Sequence, residues 1–312
     1  MLARALGSLC RQTLSAVRYE IIVVDNNSHD DTRLRVEESA REHANVRYLL
    51  ETKQGLSQAR NCGADAARGE YLLYIDDDAI APSDYLENIL AAVETHRPDI
   101  LGGPVYPYYF VAKPRWFRHE WEIRCYARRS GFVTTGGISG SNYVIRRDLL
   151  KILGMFDPLL GMKGDELGLG EDRMVLETYR KSLPSENQRV YYALECPVLH
   201  LVPASKMRLG YMLSRHFATG RLNVTVKGQL QTSGAAVKVL LQLPFVVFRK
   251  HLDVRRLGWR GIQLVEGIRR AVWESGRVYE AFRQAVLRNT RDLSGRRKLS
   301  LKITLDKETE RR

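Results

Sequence analysis

The period of the apolar positions changes along the chain, and each change marks an element. Leu2, Leu6 and Leu9 share one stripe of an amphipathic helix over residues 1–11. Glu20-Ile-Ile-Val-Val24 is a short β-branched run that reads as a buried strand, and Asp30, Asp31 and Thr32 supply helix-start chemistry for a stretch reaching His43. Val46 to Leu50 predicts a second strand, and Gly55 to Arg68 an Ala-rich helix. Glu70 to Ile75 predicts a third strand, ending in Asp76-Asp77-Asp78, and Pro82-Ser83 opens a helix to about Thr95. This alternation argues an α/β fold with a mostly parallel central sheet. Ligands bind such sheets at the carboxyl ends of strands, where Asp25 and Asp76–Asp78 fall.

The second half is less regular. Trp116, Phe117 and Trp121 lie close together inside the irregular stretch 102–133. Ser141-Asn-Tyr-Val-Ile145 predicts another strand, followed by a helix from Arg147 and a turn over Gly154-Met-Phe-Asp-Pro158. Four glycines between Gly161 and Gly170 precede Glu171-Asp172, which start a helix to about Lys181. Beyond Val198-Leu-His200 the chain reads as helical. Leu209, Met212, Leu213 and Phe217 form one apolar face, and Ile268, Val272, Tyr279, Phe282 and Val286 another.

Composition adds two things. The 312 residues, 44% hydrophobic and 27% charged, exclude a disordered or fibrous chain, and the four scattered cysteines lack metal or redox spacing. Charge is uneven: residues 1–200 hold 25 Lys+Arg against 28 Asp+Glu, and residues 201–312 hold 24 against 8. Such a basic third suits an anionic membrane surface, with nucleic acid not expected because no binding motif or stacking cluster accompanies it. A solvated face of ordinary helices is the plain alternative. The longest apolar run, Val237 to Phe248, carries Lys238, Gln242 and Pro244 and is too short to span a bilayer, which needs about 20 apolar residues. The expected location is cytoplasmic and peripheral, at the inner face of the cytoplasmic membrane.

Three adjacent carboxylates at a strand end are costly without a cation, and hard oxygen ligands select Mg2+ or Mn2+, metals that bridge a carboxylate to a diphosphate. A solvated acidic turn is the alternative. The triplet follows Gly55-Leu-Ser-Gln-Ala-Arg-Asn61 and Gly69-Glu-Tyr-Leu-Leu-Tyr-Ile75. With Glu20-Ile-Ile-Val-Val-Asp-Asn-Asn-Ser28, Gly140-Ser-Asn-Tyr-Val-Ile-Arg146, Gly154-Met-Phe-Asp157 and Gly170-Glu-Asp172, these segments resemble family 2 glycosyltransferases, inverting enzymes of the Rossmann-like GT-A fold. The resemblance covers about residues 1–205: a donor half over 1–100, an acceptor half over 101–205, then a basic helical region over 206–312.

What the resemblance implies can be stated by residue. Asp25 accepts hydrogen bonds from the nucleotide base, Lys53 is a basic nucleotide contact, and Asp76 and Asp77 hold the donor. Asn142 touches the donor sugar. Asp78 coordinates the metal, and His200 closes on metal or diphosphate, with a core histidine as its alternative. Asp172 is the general base, with simple helix capping as the rival for both Glu171 and Asp172. Glu171, Trp116 and Trp121 are acceptor-side candidates, against packing for at least two of the three aromatics. The partners implied are a nucleotide-sugar donor, a UDP-sugar first among them, and a glycan or lipid-linked acceptor. Family members begin with an apolar strand before the first helix, so the sheet is expected to lack its first, central strand and the natural start to lie upstream. Two rivals remain: a sugar nucleotidyltransferase, whose glycine- and basic-rich loop is not seen, and a non-catalytic or truncated glycosyltransferase-like binding protein.

Overall fold

The computed structural model describes residues 1–164, 167–227, 265–281 and 283–284. The run Val237–Phe248, with Phe282 and Val286, lies outside the described side chains. The described residues fall into two compact units, one over Met1–Tyr211 and one starting at Met212.

In the first unit, α1 (Leu2–Cys10) precedes the alternation β1 (Ile21–Asp25), α2 (Thr32–Glu42), β2 (Val46–Leu50), α3 (Leu56–Ala66) and β3 (Tyr71–Tyr74). A two-residue β4 (Ala79–Ile80), α4 (Tyr85–His96), β5 (Ile100–Gly102) and β6 (Val105–Tyr108) follow. After β7 (Gly131–Phe132) come β8 (Tyr143–Arg146), α5 (Arg147–Ile152), α6 (Glu171–Ser182), β9 (Val190–Tyr192) and β10 (Val198–Leu201). The five-stranded sheet has the order β3-β8-β5-β9-β7. Strand β8 lies antiparallel to both neighbours, β9 parallel to β5, and β7 antiparallel to β9. The mostly parallel sheet expected from alternation is therefore corrected to a mixed one. Strands β3, β5 and β9 do share a direction, but β8 enters from the opposite end because it is reached across the irregular stretch rather than by a βαβ crossover.

Alternate residues of this sheet feed two cores, as the period of two requires. Leu101, Val144 and Tyr191 pack with Leu6, Leu9, Tyr85 and Ile89 on the α1/α4 side. Ile100, Ile145, Val190 and Tyr192 pack with Leu150, Phe156, Val175, Leu176 and Tyr179 on the α5/α6 side. Strands β1 and β2 form a separate parallel pair, and among the described strands β1 bonds only to β2 and β3 only to β8. A third sheet, β4-β10-β6, sets His200 opposite Ala79, one residue past Asp78.

Helix α7 (Leu209–Lys227) carries the chain into the second unit, where its later part crosses a helix over 265–281. The backbones meet at Gly220 and Gly276, where a Cβ would overlap the carbonyl oxygens of Trp273 and Phe217 respectively. Glu280 is buried there and paired with Arg221 at 3.1 Å and Arg283 at 2.6 Å. Among the described residues no helix is long and apolar enough to cross a membrane.

Candidate functional site

Helix α3 is the spine of the site, because polar side chains at helical spacing tie it to three distant segments. At its start the Gly55 amide donates to Asn26 Oδ1 at 2.7 Å, and Ser57 Oγ donates to the Leu160 carbonyl at 2.8 Å. Asn61 makes a reciprocal pair of bonds with the Phe156 backbone at 2.8 and 3.0 Å. Between them Arg60, itself buried, reaches Glu171 Oε1 at 2.6 Å, the Gly140 carbonyl at 3.3 Å and Asp76 Oδ1 at 3.4 Å. Burial opposes the Arg60 charge, but Glu171, Asp76 and Asp172 outweigh it and raise its pKa.

Asp25 ends β1, almost fully buried. It accepts from the Ser28 amide and the Tyr48 hydroxyl, each at 2.8 Å. Burial pushes its carboxyl up, and the bonds from Ser28 and Tyr48 overcome that and hold it below its ordinary range. Asn26 donates to the Glu51 and Lys53 carbonyls, so the loop after β1 is stitched to the loop before α3. The Lys53 side chain is exposed.

Asp76, Asp78 and His200 bring one ligand atom each within 4.8 Å of one another. Asp78 shares its two oxygens between His200 Nε2 at 3.2 Å and Lys206 Nζ at 2.9 Å. Asp76 accepts a short bond from Ser141 Oγ and lies 3.8 Å from His200. Burial pushes Asp76 up, but Arg60, Ser141 and His200 outweigh it, so the group is held ionised. Burial lowers the pKa of His200 against the pull of Asp78, which leaves a neutral imidazole with a lone pair to offer. Two carboxylates and a neutral imidazole suit a borderline-hard divalent ion such as Mn2+. Asp77 is exposed beside this group.

Asp172 sits in the first turn of α6 behind Gly170, whose φ of 100° is left-handed. Its Oδ2 accepts from the Gly140 amide and its Oδ1 from the Arg173 amide, both at 2.6 Å. Gly140 keeps this approach close: a Cβ there would lie 2.8 Å from Arg60 Nη2 and 2.9 Å from Asp172 Oδ2, so those side chains would have to shift. Glu171 is buried against Arg60, and burial together with Asp172 raises its pKa.

Several of the expected site residues make their contacts inside the fold. Asn142 is 0% exposed; its oxygen accepts from Tyr85 Oη at 2.7 Å and its nitrogen donates to the Cys196 and Pro104 carbonyls. It is a strut that ties the start of β8 to α4. Glu171 is paired with Arg60 at 2.6 Å and serves as its counter-charge. Trp116 is buried against Phe117 and Trp121, with ring centroids 5.8 and 6.4 Å away, which leaves little face for a ligand. Trp121 is half-buried in the same cluster. Arg60, Ser141, Tyr48 and Lys206 were missed. Ser57, Arg60, Asn61 and Ala64 share one helical face, but a polar face alone reads as solvent-exposed, so the sequence carried no sign of Arg60's burial.

These features define a GT-A-type fold. Residues 1–154 match the Glycosyl transferase family 2 model, the family that the motifs of this stretch resemble. Succinoglycan biosynthesis protein ExoM of Rhizobium meliloti is 28% identical over 224 residues, 70% of this chain and 69% of that protein. Glucosyl-dolichyl phosphate glucuronosyltransferase of Haloferax volcanii is 28% identical over 207 residues, with 64% of each covered, under two thirds of that relative's length. Among solved structures, Staphylococcus aureus TarS 1–349 in complex with UDP-GlcNAc has a TM-score of 0.52 at 17% identity, covering 91% of this chain and 88% of that one. The mannosyltransferase PcManGT from Pyrobaculum calidifontis, in complex with GDP-Man and Mn2+, has a TM-score of 0.52 at 18% identity, covering 94% and 76%.

Proposed function

We propose that the chain transfers a sugar from a nucleoside diphosphate donor to the hydroxyl of a glycan or lipid-linked acceptor, with inversion. The observation that supports this best is the bridge through Arg60. One buried guanidinium ties Asp76 of the ligand group to Glu171, the neighbour of Asp172. Donor and acceptor chemistry are thereby fixed relative to each other. Asp76, Asp78 and His200 would hold a divalent cation, which when bound supplies positive charge to the leaving diphosphate. Asp25, at the end of β1, would hold the nucleotide base, with Lys53 and Asp77 as further donor contacts. Asp172 would take the acceptor proton as the acceptor oxygen bonds to the anomeric carbon. In the same displacement the carbon–oxygen bond to the diphosphate breaks, with its electron pair leaving on the phosphate oxygen. The Gly140 amide fixes the direction of the Asp172 carboxylate without consuming every lone pair. One base and no carboxylate nucleophile give inversion.

Residues 1–205 would carry the chemistry, and the basic charge of residues 206–312 would favour an anionic membrane surface. Relatives named for succinoglycan and minor teichoic acid biosynthesis support a cell-envelope acceptor. The test is a thermal-shift panel of UDP, GDP, CDP and dTDP with and without Mn2+. Saturation at a hundredfold Kd should add about 2.7 kcal/mol for one nucleotide, in a metal-dependent way. Asp172→Asn should keep that shift and lose transfer by about 10^2–10^4-fold. A folded chain that shifts with no nucleotide would defeat the reading.

A further inference from the structure

The outer face of the β4-β10-β6 sheet breaks the usual rule that a solvated face is polar. Cross-strand register sets Ile80, Leu199 and Tyr106 in one row. The row continues along the chain through Tyr108 to Phe110 and Val111, and Tyr106, Tyr108, Leu199, Phe110 and Val111 are 36–48% exposed. The alternate row, Ala79, His200 and Pro107, is buried on the other face, which carries the ligand group. Tyr108 and Phe110 meet edge to face with centroids 5.2 Å apart, and the Arg4 guanidinium lies 4.2 Å over the Phe110 ring. The segment is charged in one sense only. From Ile100 to Arg118 there is no Asp or Glu, while Lys113 and Arg115 are exposed immediately after the apolar strip.

We propose that this strip seats the protein on an anionic bilayer. Tyr106, Tyr108 and Phe110 would lie at headgroup depth, and Arg4, Lys113 and Arg115 would contact lipid phosphates. Contiguous exposed apolar residues mark an interaction surface. Aromatic rings beside the exposed Lys113 and Arg115, on a stretch from Ile100 to Arg118 without a carboxylate, match the interfacial zone rather than a dry protein seam. The inference uses none of the catalytic residues and stands independently of the reaction assigned above. It also differs from attraction by the basic C-terminal third, which needs charge alone and disappears with salt.

The full-length chain is sedimented with vesicles of phosphatidylcholine, with and without 30% phosphatidylglycerol, at low and high salt. The wild type should pellet with the anionic vesicles and keep part of that binding at high salt. Tyr108→Ser combined with Phe110→Ser should cut partitioning about tenfold and remove the salt-resistant part, with Tm unchanged. Lys113→Gln with Arg115→Gln should weaken binding about fivefold per charge at low salt. Phe110→Trp should add fluorescence that brominated lipid quenches beyond the wild-type signal. Partitioning of the Ser double variant equal to wild type would overturn the proposal and leave binding to the C-terminal charge. So would an unquenched added signal in Phe110→Trp, or a wild type that ignores anionic vesicles and instead binds an acidic protein.

Discussion

Asp76 stands between two carboxylate groupings that balance their charge by different means. On one side Glu171 and Asp172 are met by a buried guanidinium and by backbone amides of Gly140 and Arg173. On the other, Asp78 is met by a neutral imidazole and by the flexible, partly exposed Lys206. The first set of partners cannot leave without unfolding something. The second can, since an ammonium on a four-carbon stem rotates away at little cost. Under the proposed reaction, the fixed grouping would hold the base in one direction and the exchangeable one would let ligands arrive and depart.

Breaking the fixed side should have the largest effect. Arg60→Ala strands Glu171 and leaves Asp76 without its cation, and should cost about 3–5 kcal/mol in urea unfolding. Arg60→Met with Glu171→Leu should recover most of that stability and still leave transfer depressed; equal activity in the double variant would show the bridge to be structural alone. Gly140→Ala should act more selectively. Its methyl would push Arg60 and Asp172 apart, lowering kcat about 10^2-fold with KM for the donor little changed. On the exchangeable side, Lys206→Gln removes a like charge next to the incoming cation and should tighten Mn2+ binding roughly tenfold, read by electron paramagnetic resonance. Unchanged Mn2+ affinity would remove the contrast between the two groupings.

The smallest effect concerns pH. Asp25 has a folded pKa below its ordinary value. Its contribution to stability is therefore complete above the unfolded pKa of about 3.9 and is lost as pH falls through the lower folded value. Asp25→Asn should flatten the acid limb of the stability profile below about pH 4 and leave it parallel to wild type at neutral pH. A variant with the same acid limb would mean that other carboxylates set it.

Much of the first unit is legible in sequence because period, caps and turn residues agree. Expected boundaries for α1, α2, β2 and α3 fall within about two residues of those observed. Strand direction was not legible: a run such as Tyr143–Arg146 announces a strand, but nothing local tells which end enters the sheet. Asn142 shows the limit for sites. A motif position identifies a polar residue, yet only packing tells whether its amide faces a ligand or, as here, Tyr85 and two carbonyls. Arg60 shows the converse. A lone arginine in a helix reads as surface, and its value comes from Glu171, 111 residues away.

That separation also sets a timetable for synthesis. The bonds of α3 to Leu160, Phe156 and Glu171 join residues 103, 95 and 111 positions apart. At about 5–20 residues per second, the helix is synthesised roughly 5–20 seconds before its last partner is made. Throughout that interval the Arg60 guanidinium has no buried carboxylate from α6 to meet, so the nascent helix keeps its polar face hydrated. The ribosome's pace, more than any step of local folding, therefore decides when the two halves of the site first close on each other.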